Sequence, residues 1–413
     1  MFAFIARQPI LDGEKEVYAY ELLFRDGVAN CYPDHADDDK AERMARETLK
    51  LGLDDISCQK TAFINFQRDT LLKGLPATLD PQTVVVEIEE PGTTNHGLLE
   101  ACKQIKNMGF QLAIDDPMLE QDAHGLLPLV DIVKVDVGQH KHQHIAQKIP
   151  GLLNANVKLV AEEVETQQQF LTYKNLGFDY FQGYFFSKPE SLAGGQLPTS
   201  KLALVQLISE ASSRSFNIDS INEIIERDVG LSYMLLRFIN NPLINKRYKI
   251  TSLRHALTYM GEVEIKKFIA LLALANLTDD KPMELIHMSL VRARFCDSLA
   301  KEKAFGDNPP TGFMVGLFSL LDALLDQPMK ELVEKMPIVD EVKFALCGGQ
   351  NDFALFLLLA RAFESATWLK VKRVSDALQL DQKRVHGLFN EAVLWGNSVR
   401  QTISPHFPKP HVQ

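Results

Sequence analysis

Along the first 190 positions the apolar residues fall in short runs rich in β-branched and aromatic side chains: residues 2–7, 17–24, 61–66, 83–89, 110–116, 131–137, 158–164 and 180–186. Between most of them the apolar spacing changes to a helical period, as in residues 40–53, 97–109 and 166–177. Strands alternating with helices predict parallel βαβ units, and eight such strands predict a closed β/α barrel. The first connection is the exception. Only about ten residues, with a turn signal at Asp12-Gly13, separate the first two runs, and a parallel crossover needs roughly a dozen or more. The first strand is therefore expected to run antiparallel to the second.

After residue 190 the pattern changes. Residues 191–200 form a small polar link containing Gly194-Gly195 and Pro198, and from there β signals nearly vanish. Leu202, Val205, Leu207 and Ile208 recur at helical spacing, as do Ile221, Ile224 and Ile225, then Leu231, Met234, Leu235 and Phe238. Stops and starts at Asp219, Thr251, Pro282, Gly306 and Pro328 divide this half into about a dozen helices. The predicted layout is an α/β barrel over residues 1–190, a linker over 191–200 and an all-α domain over 201–405.

Composition narrows the partners. The 413 residues are 46% hydrophobic and 24% charged, with a formal net charge of -10, so no global basic field draws the chain to nucleic acid or an anionic membrane. The five cysteines (Cys31, Cys58, Cys102, Cys296, Cys347) are scattered, as buried thiols of a reducing compartment are, and neither a disulfide frame nor a zinc site is expected. No apolar run spans a bilayer and the first residues lack a signal-peptide pattern. The expected location is the cytoplasm.

The candidate chemistry sits at the C-terminal ends of the predicted strands, where β/α barrels carry their functional side chains. Those ends hold Glu21, Asn65, Glu87, Asp115 with Asp116, Lys134 with Asp136, Glu162 and Gln182. Lys134 and Asp136 are two apart on one strand and share a face. Carboxylates converging on one mouth repel each other without cations. Oxygen donors with an asparagine among them suit Mg²⁺ or Mn²⁺, and a pair of such ions is a common apparatus for phosphodiester hydrolysis. Any one acid could merely cap a helix; the whole set at successive strand ends points to a site.

The set Gln8-Pro9-Ile10, Glu21-Leu22-Leu23 with Arg25, Asn65, Glu87-Ile88-Glu89-Glu90, Asp115-Asp116, Lys134-Val135-Asp136, Ala161-Glu162-Glu163-Val164-Glu165 and Gln182-Gly183-Tyr184 resembles the EAL domain. That family hydrolyses cyclic di-GMP to linear pGpG on a β/α barrel whose first strand is antiparallel. The resemblance implies that Glu21, Asn65, Glu87 and Asp115 ligate a first metal ion, and that Asp116 and Asp136 contribute to a second. It implies a place beside the attacking water for Lys134, and for Glu162 the role of general base or its support. Gln8, Leu23, Arg25 and Gln182 match positions that contact the dinucleotide. Glu90 resembles the anchor of a mobile loop, and Glu165 is grouped with it. The loop itself departs from the family. Active members follow the paired aspartates with Phe-Gly-Thr/Ser-Gly-Tyr-Ser-Ser-Leu, whereas this chain has Pro117-Met118-Leu119-Glu120-Gln121-Asp122. Proline fixes φ and both glycines are gone. Glu163 stands where the family has glycine. Nucleotide binding is therefore expected to outlast turnover.

In the helical half, Ile225-Glu226-Arg227-Asp228-Val229-Gly230-Leu231-Ser232, Leu235-Leu236-Arg237-Phe238-Ile239-Asn240, Ile250-Thr251-Ser252-Leu253-Arg254-His255-Ala256-Leu257 and Met260-Gly261 resemble an HDOD domain. This is a degenerate relative of the metal-dependent HD phosphohydrolases. Ser319-Leu320 replaces the His-Asp pair of those enzymes, so their metal site is not expected here. His287 reads as a packed histidine, and the half as a protein-interaction module. EAL followed by HDOD resembles the layout of the YuxH-type signalling family, which implies a role of the kind its members often have, in motility, pili or biofilm switching. Three functions remain open: a cyclic di-GMP receptor with weak, conditional or no hydrolysis, an active phosphodiesterase, and a nucleotide-independent scaffold. A protein partner is expected through the HDOD half, and homodimer formation is open. His140, His142 and His144 read as a solvated face. The helix-turn-helix cadence around Lys383 and Arg384 reads as two capped helices of the bundle. Neither Cys58 nor Cys347 has a neighbour in sequence that would make it reactive.

Overall fold

The structure is a computed structural model that describes residues 4–25, 53–88, 96–115, 125–189, 229–240, 250, 253–275, 281–306, 308–336 and 338–403. The chain forms two compact units, Met1–Phe186 with Phe363–Trp368, and Ser187–Ala362 with Leu369–Gln413.

The first unit is a closed barrel: β1 (Phe4–Asp12), β2 (Val17–Arg25), β3 (Thr61–Phe66), β4 (Val84–Ile88), β5 (Gln111–Asp115), β6 (Ile132–Asp136), β7 (Lys158–Glu162) and β8 (Tyr180–Gln182) pair in sequence order. β1 is antiparallel to both β2 and β8, and the other pairs are parallel. The short first connection dictates this, as predicted. β1 runs further than its apolar run, because Gln8 and Pro9 also pair with β2. β8 covers only Ile10–Asp12, so the stretch with Pro9 is laddered on one side, where a sheet tolerates proline. β8 is shorter than its apolar run. It ends at Gly183 (φ 140°), where any Cβ would lie 2.2 Å from the Val164 carbonyl oxygen.

The helices are amphipathic covers. α1 (His96–Asn107) buries Leu98, Cys102 and Ile105, and α2 (His142–Asn154) buries Ile145, Ile149 and Leu152, the i, i+4, i+7 stripe of a helix on a sheet. α3 (Gln167–Asn175) starts on a capping box: Gln169 N–H donates to Thr166 Oγ1 (3.2 Å) and Thr166 N–H to Gln169 Oε1 (3.0 Å). At the N-terminal ends of the strands one device appears twice. Asp131 accepts from Leu112 N–H (2.8 Å) and from Lys106 Nζ (2.6 Å), and Asp179 accepts from Leu159 N–H (3.0 Å) and Lys158 Nζ (2.6 Å). Each aspartate ties the start of its strand to the neighbouring one.

The interior is layered. Ile10, Ala19, Phe63, Val85, Ala113, Ile132 and Val160 form one apolar cluster, against which Tyr18 and Tyr180 pack, their rings stacked on each other at 3.9 Å. Strand side chains alternate, so the residue two positions on (on antiparallel β1, two positions back) points inward again. Those positions are Gln8, Glu21, Asn65, Glu87, Asp115, Lys134 and Glu162, and Gln182 stands in the same relation to Tyr180. Every strand thus contributes one polar side chain to a ring directly above an apolar floor.

The second unit is helical: α4 (Val229–Ile239), α5 (Leu253–Ala275), α6 (Met283–Glu302), α7 (Thr311–Phe318), α8 (Leu321–Leu325), α9 (Met329–Lys335), α10 (Asp340–Leu346), α11 (Asp352–Glu364), α12 (Trp368–Ala377) and α13 (Gln382–Ile403). Pro282 and Pro328 stand immediately before α6 and α9, as the start signals predict. α6 and α7 touch backbone to backbone, since a Cβ on Gly316 would lie 2.2 Å from the Arg292 carbonyl oxygen. Asn240 clasps Ile250, donating to its carbonyl (2.7 Å) and accepting from its N–H (2.7 Å). That clasp links two of the motif segments of this half. No helix among the described residues is long and apolar enough to cross a membrane.

Candidate functional site

The polar ring is a dense, buried network at the C-terminal mouth of the barrel. Lys134 on β6 is its centre: Nζ lies 2.5 Å from Glu87 Oε1, 2.7 Å from Glu162 Oε1 and 3.2 Å from Glu21 Oε2. Glu21 also accepts from Asn65 Nδ2 (2.8 Å) and Gln182 Nε2 (2.5 Å), and Gln182 Nε2 donates in turn to Gln8 Oε1 (2.8 Å). Lys134 and Glu87 are each 1% exposed. Strand register sets these neighbours, pairing Gln8 with Glu21, Asn65 with Glu87, Asp115 with Lys134 and Asp136 with Glu162.

Electrostatics divides the acids. Burial alone would raise Glu21, but the Lys134 ammonium and the amides of Gln182 and Asn65 outweigh it and hold this carboxyl below its usual range. Burial pushes Glu87 up to about 8 against the pull of Lys134, with Glu21 and Asp115 adding like charge. Glu162 is raised well above the carboxylate range, again by burial first, then by Asp115, Glu21 and Glu87. Lys134 is held firmly charged: burial works against it, but Glu162, Glu21, Glu87 and Asp115 prevail.

Oxygen atoms of Glu87, Asp115 and Glu162 lie within 4.8 Å of one another. Around them Glu87 Oε2, Asn65 Oδ1 and Gln182 Oε1 are buried without a hydrogen-bond partner. Buried acceptors left this way are rare in folded proteins, and an all-oxygen donor set suits a hard divalent cation. The residues fit a metal ion. The family resemblance groups Glu21 with Asn65, Glu87 and Asp115. The structure brings Glu162 into that carboxylate group and ties Glu21 to Lys134, Gln182 and Asn65. Strand-end position does not distinguish these two acids, because it says nothing about distances across the barrel.

Asp136 turns its Oδ1 to the N–H groups of Gly138 (2.8 Å) and Gln139 (2.9 Å), so one oxygen serves the loop after β6. Gln8, Leu23, Asp136 and Glu163 line the cavity above the ring together with Glu21, Glu162 and Gln182. Glu163 has φ 54°, a left-handed conformation costly for a residue with a Cβ. Partial burial and the neighbouring Asp136, Glu165 and Glu21 raise its carboxyl. Glu165 is exposed, and its N–H donates to Gln169 Oε1 (2.9 Å), so its backbone shares in the start of α3. Asp116, Glu90 and residues 117–122 lie outside the described residues, as does the Arg25 side chain.

The other candidates resolve simply. Ser319 donates to the Gly316 carbonyl (2.8 Å) and accepts from the buried Arg292 guanidinium (3.1 Å). His287 is 1% exposed inside α6. Among the described residues no acidic, histidine or cysteine group of the helical unit could hold a metal ion. His142 is exposed, and His140 and His144 meet only edge to edge at 5.9 Å. Arg384 is held by Glu302 (2.7 Å), a bundle contact rather than a free reading-helix arginine. Cys58, Cys102, Cys296 and Cys347 form no disulfide.

A closed β/α barrel with an antiparallel first strand and a carboxylate-rich mouth, followed by a helical half, defines the class of scaffold. The EAL domain family model matches residues 40–189, and the HDOD domain model residues 197–334. The chain is 34% identical over 404 residues to the cyclic di-GMP phosphodiesterase CdgJ of Vibrio cholerae, covering 97% of this chain and 94% of that one. It is 33% identical over 405 residues to the uncharacterized protein YuxH of Bacillus subtilis, covering 96% and 98%. Among solved structures it is similar to Klebsiella pneumoniae BlrP1 in a manganese and cyclic di-GMP complex, at 24% identity and a TM-score of 0.35 over 45% of this chain and 55% of that one. The chain belongs to the EAL–HDOD family.

Proposed function

We propose that the barrel mouth binds cyclic di-GMP with a divalent cation, Mg²⁺ or Mn²⁺, hydrolysing it slowly, conditionally or not at all, and that the helical half relays the bound state to a protein partner. The observation that carries this reading is the set of unpartnered buried oxygens, Glu87 Oε2, Asn65 Oδ1 and Gln182 Oε1, at the mouth that holds Glu87, Asp115 and Glu162. Glu21, Asn65, Glu87 and Asp115, with Glu162 beside them, would hold one ion; Asp136 through its second oxygen, with Asp116, would serve another. When bound, such ions neutralise phosphate charge and activate water. The chain's own residues do the rest. Gln8, Leu23, Arg25 and Gln182 contact the dinucleotide, and the guanidinium of Arg25 is suited to phosphate. Lys134 keeps Glu21, Glu87 and Glu162 in place.

Slow turnover follows from the loop after Asp116. Pro117 stiffens a segment that moves in active relatives, while Glu120 and Asp122 add negative charge. The barrel is taken to end near residue 190, with 191–200 as the link to the helical domain at 201–405. A second reading, an active phosphodiesterase, is favoured by the similarity to CdgJ along nearly the whole chain. One experiment separates them. Purified protein with Mn²⁺ and cyclic di-GMP is followed for pGpG and, in parallel, for binding heat. Tight binding with little product supports the receptor. Turnover that vanishes in Glu21→Ala supports the enzyme, and absence of both leaves a scaffold.

A further inference from the structure

We infer that Lys134 is a built-in counter-cation, holding the carboxylates of the mouth together in the metal-free protein and competing with a divalent ion for them. An ammonium has three protons to donate, and Lys134 meets three carboxylates, one oxygen each: Glu87 Oε1 at 2.5 Å, Glu162 Oε1 at 2.7 Å and Glu21 Oε2 at 3.2 Å. These acids come from β4, β7 and β2, so one side chain on β6 ties together strands from all around the barrel. Beneath lies the apolar floor with Ile132 and Val160, which offers no other compensation. Without the ammonium, the buried Glu21 carboxylate would lose its counter-ion, and Glu87 and Glu162 would lose a shared donor. With it, the donor oxygens are already gathered when an ion arrives, but the ion meets a fixed positive charge among its own ligands. Lys134 therefore stabilises the metal-free barrel and weakens its hold on metal, two effects of opposite sign.

The competition half rests on the reading of the mouth as a cation site, and the test keeps the two apart. Full-length protein and Lys134→Met are compared by thermal unfolding in EDTA and in Mn²⁺, and by titration calorimetry with Mn²⁺ alone. In EDTA the variant is expected to lose roughly 10 °C in Tm. Its Mn²⁺ dissociation constant is expected to fall on the order of tenfold, so Mn²⁺ raises its Tm more than that of the unaltered protein. A purely structural lysine would lower stability and metal affinity together. If Lys134→Met folds only with Mn²⁺, the same conclusion follows in stronger form. Lys134→Met/Glu21→Gln, which removes the acid that Lys134, Gln182 and Asn65 keep charged, is expected to recover much of the metal-free loss. A variant as stable as the parent in EDTA, weaker Mn²⁺ binding in Lys134→Met, or a double variant no more stable than the single one each overturns the proposal. Failure of the unaltered protein to bind Mn²⁺ overturns the cation-site reading instead, while the EDTA comparison still decides the counter-cation role.

Discussion

The barrel mouth and the helical unit both bury charge, but they balance it differently. In the helical unit acids meet at least as many cations: Asp297 lies 3.0 Å from both Lys267 and Lys301, Asp326 2.7 Å from Lys281 and Glu284 3.3 Å from Arg400. At the mouth, Glu21, Glu87 and Glu162 share the single ammonium of Lys134, Asp115 adds to them, and oxygens of Glu87 and Asn65 are left without partners. A matched set is complete as it stands and serves the fold. An excess of acids over cations, held in place by the same fold and balanced by bound protons, has an affinity for a cation that displaces them.

The sharpest way to break this comparison is to neutralise one acid in each place. Glu87→Gln is expected to weaken Mn²⁺ binding by roughly 100-fold or more, in keeping with the loss of a charged ligand, as calorimetry would show, while Tm in EDTA changes little or rises. Asp297→Ala should do the reverse. Lys267 then keeps only Glu264 (3.0 Å) among the described acids, and the loss is expected at about 1–3 kcal/mol, read by denaturant unfolding, with Mn²⁺ affinity unchanged. Equal effects of the two substitutions on metal binding would erase the distinction.

A pH titration sharpens the mouth's side of it. Glu87, pushed up to about 8, binds a proton in the folded protein at neutral pH that the unfolded chain does not. The stability tied to that proton is complete below the unfolded carboxylate value and is lost as pH rises through about 8. Metal-free Tm is therefore expected to fall between pH 6 and 9. Mn²⁺ must displace the proton, so its affinity should rise by up to about tenfold per pH unit below 8 and then level off. A pH-independent Mn²⁺ affinity would show that Glu87 is not a ligand. The smallest expected effect is at Glu163. Replacement by glycine relieves a left-handed backbone (φ 54°) and should add about 1 kcal/mol of stability. Glu163→Gln, which keeps the Cβ, should not.

Much of this was legible in the chain. The order of strands, the antiparallel first strand and the α1 and α3 segments all follow from local pattern, because alternation, capping and connection length act over a few residues. The polar ring was legible as a list: each member follows an apolar run, as Glu87 follows Val84-Val85-Val86. Strand ends were less so. β1 continues past Gln8-Pro9 because its partner strand reaches that far, and β8 stops early because the Val164 backbone crowds Gly183. Neither signal is local.

Sequence alone determined which residues are polar, on which strands they stand and which face they share, since a period of two needs no knowledge of the rest of the molecule. Tertiary structure alone decided that Glu162 joins Glu87 and Asp115, that Glu21 turns to Lys134, Gln182 and Asn65, and that one lysine answers three acids. Those distances run across a closed barrel between strands far apart in the chain. Closure and register set them, and no spacing along the chain encodes them.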